Sequence, residues 1–472
     1  MMKKSDFFKI LSGPVLFALS LLLIPASVMP YSVRGAVGLF LWMSAWWITI
    51  PVGVAVTALL PIVVCSVFGI VKVGDILPQY FTDLIVLLIG ADILTLTWET
   101  TGLNQRIALR AVSLVGSSMK SQVAVWFIGS TAASIFLPNV VVGACMTPIA
   151  IAMLKAVDKG DPGRYRSAAN ILLAIAWGAG IGGFASPLGG GMNLVVISYI
   201  EGLTGQEYMY TTWVKIMLPV LIVITAGCLA YMLVMMKAES ENLPGAQEYF
   251  VGECKKLGPM SSHEKLSLWM FVLPVIMAFT REFWKAYIPT LSSSYVFLVF
   301  AAASFCMPGV CKGRLITWKY AQPRMSWGLF YTLAGGLALG KVIISSNTAS
   351  MLAQAVSDSG ITDPAVLCVS FIILASVLAN ISSNNSACAI VSPLVVSVMG
   401  ALNADPIPYL YLAAVGGNLA FLLPSATRAI PVDAGVNPAY MIKEGTPLNI
   451  ISVLLAIVCA LLYLKLPFFS FC

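Results

Sequence analysis

Charge is what this sequence has least of. Only 10% of its residues are charged, where a soluble domain carries about a quarter. Histidine is nearly absent, with His263 alone, and no two of the ten cysteines form a CxxC pair. Those two shortages exclude a structural or catalytic zinc centre and a dithiol redox motif. Cys145, Cys228, Cys388 and Cys459 lie inside apolar stretches and read as small buried hydrophobes. A membrane enzyme would need a nucleophile, a base or a metal cluster within its apolar part, and none can be assembled. No enzymatic activity and no cofactor are expected.

What the chain has is apolar length. Of its 472 residues, 59% are hydrophobic. Runs of about 20 apolar residues, the length that spans a bilayer as a helix, recur from end to end, among them Ile10 to Pro30 and Leu448 to Leu466. Lipid cannot satisfy backbone N–H and C=O groups, so such runs must be helices or a closed barrel. Barrel strands alternate apolar and polar residues, and these runs do not. The expectation is an all-α polytopic membrane protein with about eleven transmembrane helices.

The net charge of +7 reads as membrane topology rather than as a nucleic-acid surface, because the basic residues gather in short loops. Lys3, Lys4 and Lys9 precede the first run and place the N-terminus in the cytoplasm. Lys155, Lys159, Arg164 and Arg166 mark a second cytoplasmic loop. Lys237, Lys255, Lys256 and Lys265 mark a third, and Arg314, Lys319 and Arg324 a fourth. The first run lacks a small-residue cleavage site and reads as a retained span. Short loops suit a bacterial inner membrane.

Residues 236–265 form the longest polar stretch and read as a cytoplasmic linker between a first repeat, 1–235, and a second, 266–472. The halves share an ordered set of features. Leu137-Pro138-Asn139 leads to Pro148, and Ser383-Asn384-Asn385 leads to Pro393, each with proline nine residues after asparagine. These read as two hairpins, over about 121–156 and about 364–402. Each is followed by a broken apolar segment. One runs over about 170–200, with Ser186-Pro187-Leu188-Gly189-Gly190-Gly191-Met192-Asn193, and the other over about 408–440, with Pro424-Ser425-Ala426-Thr427-Arg428-Ala429-Ile430-Pro431. Interrupted segments at matching places in two halves point to the binding site of a secondary transporter. A break exposes amides and carbonyls, half-helix N-termini attract anions, and irregular backbone at that depth survives only against protein or a wet cavity.

These motifs, with Gly102-Leu103-Asn104-Gln105-Arg106-Ile107-Ala108-Leu109 and Gly335-Gly336-Leu337-Ala338-Leu339-Gly340, resemble the divalent anion/sodium symporter family along nearly the whole chain. The resemblance implies two inverted repeats, two re-entrant hairpins, a scaffold and a transport domain, elevator-type movement, a homodimer and a small organic dianion as substrate. It implies that substrate is held at Asn139, Ser383, Asn384, Asn385, Thr427, Arg428, Gly189, Gly190, Pro138 and Val140. The family's sodium positions would map to Ser134, Asn139, Gly189, Ser382, Asn384 and Ala426.

The chain departs from the family pattern at the tips. A Ser-Asn-Thr triplet becomes Pro138-Asn139-Val140 in the first hairpin and Ser383-Asn384-Asn385 in the second, and the loops read Gly189-Gly190-Gly191-Met192 and Ala426-Thr427-Arg428-Ala429. Side-chain oxygens that a hard cation would take are lost, which puts sodium coupling in question. Arginine inside a membrane segment is costly and marks a functional site, and guanidinium holds carboxylate as a fork. The expectation is therefore sodium-independent dicarboxylate exchange with Arg428 as the fixed positive charge. Facing the aqueous side of the loop or pairing with Asp433 is the competing role for Arg428, and a sodium-coupled symporter is the competing function, with an anion channel more remote. Ser346-Asn347-Thr348 lacks the following proline and reads as a helix end. Gly335 to Lys341 has phosphate-loop spacing, but Val342 stands where Ser or Thr is needed. Glu99 reads as a charge at a helix end, and Trp46, Trp47 and Trp126 as interface anchors or packing.

Overall fold

A computed structural model describes residues 4–112, 116–348, 351 and 362–465. Numbering helices of eight or more residues, the first part holds α1 (Lys4–Leu23), α2 (Tyr31–Thr49), α3 (Leu60–Phe68), α4 (Asp83–Thr101) and α5 (Leu103–Val112). Then come α6 (Met119–Ser134), α7 (Asn139–Ala156), α8 (Arg166–Gly182), α9 (Gly191–Thr204), α10 (Tyr210–Met235) and α11 (Ala246–Lys256). The second part holds α12 (Ser262–Phe279), α13 (Ser293–Ser304), α14 (Trp327–Ser345), α15 (Pro364–Ile381), α16 (Asn384–Ala401), α17 (Ile407–Asn418) and α18 (Pro438–Lys465). The only strand among the described residues, Pro308–Cys311, doubles back on Arg314. The chain is an all-α polytopic membrane protein.

Eight helices among the described residues are long and apolar enough to span a bilayer, fewer than the eleven or so expected. Part of the shortfall is a matter of length, while α2 and α12, 19 and 18 residues long, are long enough but are not among the eight. The pieces of the broken segments, α8, α9 and α17, are 17, 14 and 12 residues long, each under the roughly 20 that a crossing needs. Conversely α7, α15 and α16 pass by length although they lie in the stretches read as hairpins. Prolines inside α7 and α16, Pro148 and Pro393, are tolerated because neighbouring groups re-satisfy the freed carbonyls.

Small residues set the closest packing, as expected where lipid removes the hydrophobic drive between helices. On α8, Gly178 and Gly182 lie four apart and face the main-chain carbonyls of Phe127 and Thr131 on α6, so any side chain at either glycine would strike backbone. Thr131 Oγ1 donates to Gly178 O at 3.1 Å. On α17, Gly416 sits over the Ile372 carbonyl of α15 in the same manner. The helix before each tip thus packs on the helix before each break. The long central helices are clasped crosswise: Gly90 of α4 abuts the backbone of Phe297 and Leu298 on α13, and Gly335 of α14 abuts Ala58 before α3.

Buried polar links hold distant parts together. Arg106 on α5 meets Glu264 on α12 at 2.6 Å and donates to the carbonyls of Leu257 and Gly258 at 2.9 and 2.8 Å. Glu264 also completes a capping box with Ser261. Asp92 inside α4 accepts from the Ser326 N–H, at the start of α14, at 2.7 Å. Arg281, beyond α12, pairs with Glu207 at 3.1 Å. Residues 236–265 are not merely polar loop: Ala246 and Phe250 of α11, four apart, are fully buried, and Phe250 packs edge-on to Trp126. Trp47 and Trp126 have no exposed surface, so of their two readings the structure selects packing. Asn347 takes a left-handed conformation just after α14, with Ser346 and Thr348 bonded to each other at 2.7 Å.

Candidate functional site

Four irregular pieces of chain lie inside the protein, joined to one another or to the helices beside them. They are the tip between α6 and α7, the break between α8 and α9, the tip between α15 and α16, and the break after α17. The first tip meets the first break where the Asn139 N–H donates to Gly189 O at 3.2 Å. Gly189 is packed so closely against the carbonyls of Ser134 and Gly183 that a side chain there is excluded. The first break meets the second tip at Gly191, beside Asn385 Oδ1. The second break meets α7 where Thr427 Cγ2 lies against Gly143. It meets α15 where Arg428 Nη2 donates to Ala379 O at 2.9 Å. The four pieces, with the adjoining parts of α7 and α15, therefore close into a ring.

The chain folds this way because its capping residues stand at the interruptions. Pro138, with φ −52° and ψ 132°, turns the chain into α7. Ser383 caps α16, its hydroxyl accepting from the Ser386 N–H at 3.2 Å. In the first break Asn193 Nδ2 donates to the carbonyls of Gly183 and Ser186, both at 2.7 Å, and Ser186 Oγ donates to Ile135 O. The second break is longer than the sequence suggests. α17 ends at Asn418, residues 419–425 are irregular, and Ala426–Arg428 form a single 3₁₀ turn. Asn380 on α15 holds this stretch, Oδ1 accepting from Phe421 and Leu422 N–H at 2.9 and 3.0 Å.

The expected site residues fall into two groups. Asn139, Gly189, Asn385, Thr427 and Arg428 form the ring's contacts, while Pro138, Gly190, Ser383 and Asn384 shape the turns beside them. Val140 is 45% exposed and makes none of the ring's contacts. Ser134 Oγ stays within its own tip, 3.4 Å from Leu137 O. Ser382 Oγ donates to Trp47 O on α2 at 2.8 Å, so its hydroxyl is committed outside the ring. Arg428 forms no ion pair with Asp433. Its Nε donates to Ser425 O at 3.3 Å and Nη2 also reaches Ser425 Oγ.

Several buried polar atoms of the ring have no hydrogen-bond partner: Asn385 Oδ1, Asn193 Oδ1, Asn418 Oδ1, Thr427 Oγ1 and Arg428 Nη1. Buried polar atoms are nearly always paired, so each of these orphans is an unused hydrogen-bonding position beside a tip or a break. For Asn193 and Asn418 the amide nitrogens already donate to carbonyls, which fixes the oxygen as the free atom. Three helix N-termini, those of α7, α9 and α16, converge here, each equivalent to about half a positive charge. Thr427 Oγ1 and Arg428 Nη1 add donors. The arrangement can neutralise a dianion, and the orphaned amide oxygens can serve a hard cation. Asn193, Asn380 and Asn418 escape a sequence reading because a lone amide in an apolar run has no motif. Their position at the edges of the two breaks is the only signal.

Comparison with known proteins follows the same line. A family model described as citrate transporter, CitMHS, matches residues 44–416. The sodium-dependent dicarboxylate transporter SdcS of Staphylococcus saprophyticus is 27% identical over 474 residues, covering 96% of this chain and 90% of the relative. SdcS of Staphylococcus aureus strain NCTC 8325 is 26% identical, covering 94% and 88%. Among solved structures, the YdaH transporter of Alcanivorax borkumensis, whose topology is described as unusual, superposes with a TM-score of 0.54 at 12% identity over 83% of this chain and 87% of that one. It bears on the fold alone.

Proposed function

The chain belongs to the citrate-transporter family, and from that premise we propose that it carries a dicarboxylate across the membrane in symport with sodium. Two things support the reading. Relatives matched along almost their full length are named as sodium-dependent dicarboxylate transporters. The observation that carries it is the ring itself: three helix N-termini and Thr427 suit the substrate's carboxylates, while the orphaned oxygens of Asn193, Asn385 and Asn418 suit a cation that prefers oxygen. In this reading the ring moves as a unit against the rest of the protein, an elevator-type alternating access.

One observation favours a second reading, sodium-independent exchange, which the residues alone had put first. The guanidinium of Arg428 donates to two main-chain carbonyls and a hydroxyl at the second break, and so satisfies the oxygens a sodium ion would take there. Liposomes separate the readings. Sodium-driven uptake of succinate into empty vesicles supports symport. Uptake that requires preloaded internal dicarboxylate and ignores sodium replaces it with exchange. Transport of neither kind, for any di- or tricarboxylate, overturns both.

A further inference from the structure

Lys341 is a cation the ring does not use. It lies in the apolar helix α14, half-buried, and forms no ion pair or hydrogen bond among the described residues. An ionisable side chain within a membrane helix is costly and signals function. It does not point at plain lipid. It lines a cavity of about 200 Å³ with Gln79, Ser198, Tyr199 and Val396, walled by α14, α9 and α16. Two of those walls lead to the ring. Ser198 is seven residues along α9 from Gly191, about 10 Å by helical rise, and α16 begins at the second tip. Tyr199 lines the same cavity, and its hydroxyl reaches Gly336 O at 3.4 Å and is packed against Gly340.

A second cavity makes the charge at Lys341 informative. It measures about 420 Å³ and lies where the end of α4 meets α7 beyond Pro148, lined by Glu99, Gln105, Tyr249 and Glu253. The Lys341 cavity lies where the end of α14 meets α16 beyond Pro393. The carboxylates of the first of these pockets are offset by cations, Glu253 by Lys256 at 2.5 Å and Glu99 by the nearby charge of Arg324, whereas Lys341 has no such partner among the described residues. A dianion is therefore drawn to the Lys341 cavity, since clefts lined by one sign of charge concentrate the opposite ion.

We propose that the Lys341 cavity is a vestibule that captures a carboxylate of the substrate before it enters the ring. This rests on the reading of the chain as a dicarboxylate carrier, so wild-type uptake of succinate is measured first, and its absence defeats that reading and this one with it. Given wild-type uptake, Lys341→Met raises KM about 10-fold with kcat unchanged, and Lys341→Arg restores it. Methionine keeps the unbranched shape and all but one atom of the side chain's length, and suits an apolar helix. In the wild type, KM climbs as ionic strength is raised from about 50 to about 500 mM, and in Lys341→Met that climb is lost. The proposal is overturned if wild-type KM ignores ionic strength, if Lys341→Met leaves KM unchanged, or if it lowers kcat alone. It is also overturned if the defect appears only in vesicles containing anionic lipid, which would make Lys341 an anchor for a lipid phosphate.

Discussion

Replacing Arg428 with methionine tests the ring at its only arginine contact. The guanidinium already spends Nε and Nη2 on Ser425 and Ala379, and Nη1 is buried with no partner. If Nη1 meets a substrate carboxylate, the lost charge-assisted bond is worth about 1.5–3 kcal/mol, which lowers affinity about 10- to 100-fold. The same substitution removes the donor to Ala379 O and lowers stability, so binding and folding must be read apart. Titration of purified protein with succinate gives Kd, and unfolding without ligand gives Tm. Methionine should weaken Kd by the stated factor, with Tm falling by a few degrees. Arg428→Lys should recover part of the affinity but not all, because an ammonium keeps the charge and loses the fork. The reasoning fails if Kd for the methionine variant stays within about 2-fold of wild type while Tm falls, for Arg428 would then only cap the carbonyls at the end of α15.

Three further outcomes follow from the packing. Gly182→Leu drives a side chain into the Thr131 carbonyl and should cost about 1–3 kcal/mol, seen as a lower Tm. Gly180→Leu, where nothing lies within 4 Å, should be neutral by the same measure. Arg106→Met strands Glu264 in a buried setting and should cost about 3–5 kcal/mol, most of it recovered when Glu264 is also changed to Met. Glu239 is partly buried, which favours its neutral form, but hydrogen bonds from Ser167 and the charge of Lys159 hold its carboxyl below the ordinary range. A depressed folded-state value contributes stability above the unfolded carboxylate range that is lost as pH falls through the folded one. Tm should therefore fall less steeply with acid in Glu239→Gln than in wild type.

Much of the ring was legible from spacing. The asparagine-to-proline intervals and the glycine and proline interruptions place helix ends within a few residues of where α7, α9 and α16 begin, because capping and breaking are local properties of backbone chemistry. What stayed hidden depends on contacts between distant residues. The hydroxyl of Ser382, an expected sodium position, lies on Trp47, 335 residues away, a contact that no spacing marks. Asn380 holds Phe421 and Leu422 across some 40 residues, and an asparagine in an apolar run announces nothing. For Arg428 the sequence offered a substrate carboxylate, Asp433 or water at the loop's surface. The structure adds neutral main-chain carbonyls, which every residue carries and no motif can mark. The helix in the linker was hidden for a different reason: two buried residues, Ala246 and Phe250, make too short an apolar face to stand out among charges.

The charge held by the ring separates the two proposed couplings. Three helix N-termini supply about 1.5 positive charges and Arg428 one more, close to the two negative charges of a dicarboxylate. Without the arginine a deficit remains that bound cations would fill. With it, a symporter must return its empty site with the Arg428 charge uncompensated. Under an inside-negative potential that outward return is opposed by up to about 2.3 kcal/mol per 100 mV for each charge that crosses the whole field. Exchange has no empty return, since both legs are loaded. Vesicles clamped with potassium and valinomycin therefore give opposite expectations. Helix dipoles add local field but no net moving charge, since each N-terminal half charge is matched at the C-terminus. Both loaded legs of an exchange therefore carry the same charge, and the full cycle should give no steady current at zero or at about −100 mV, whereas an empty return carries the Arg428 charge alone and should change with potential. A steady current with both sides saturated would refute exchange.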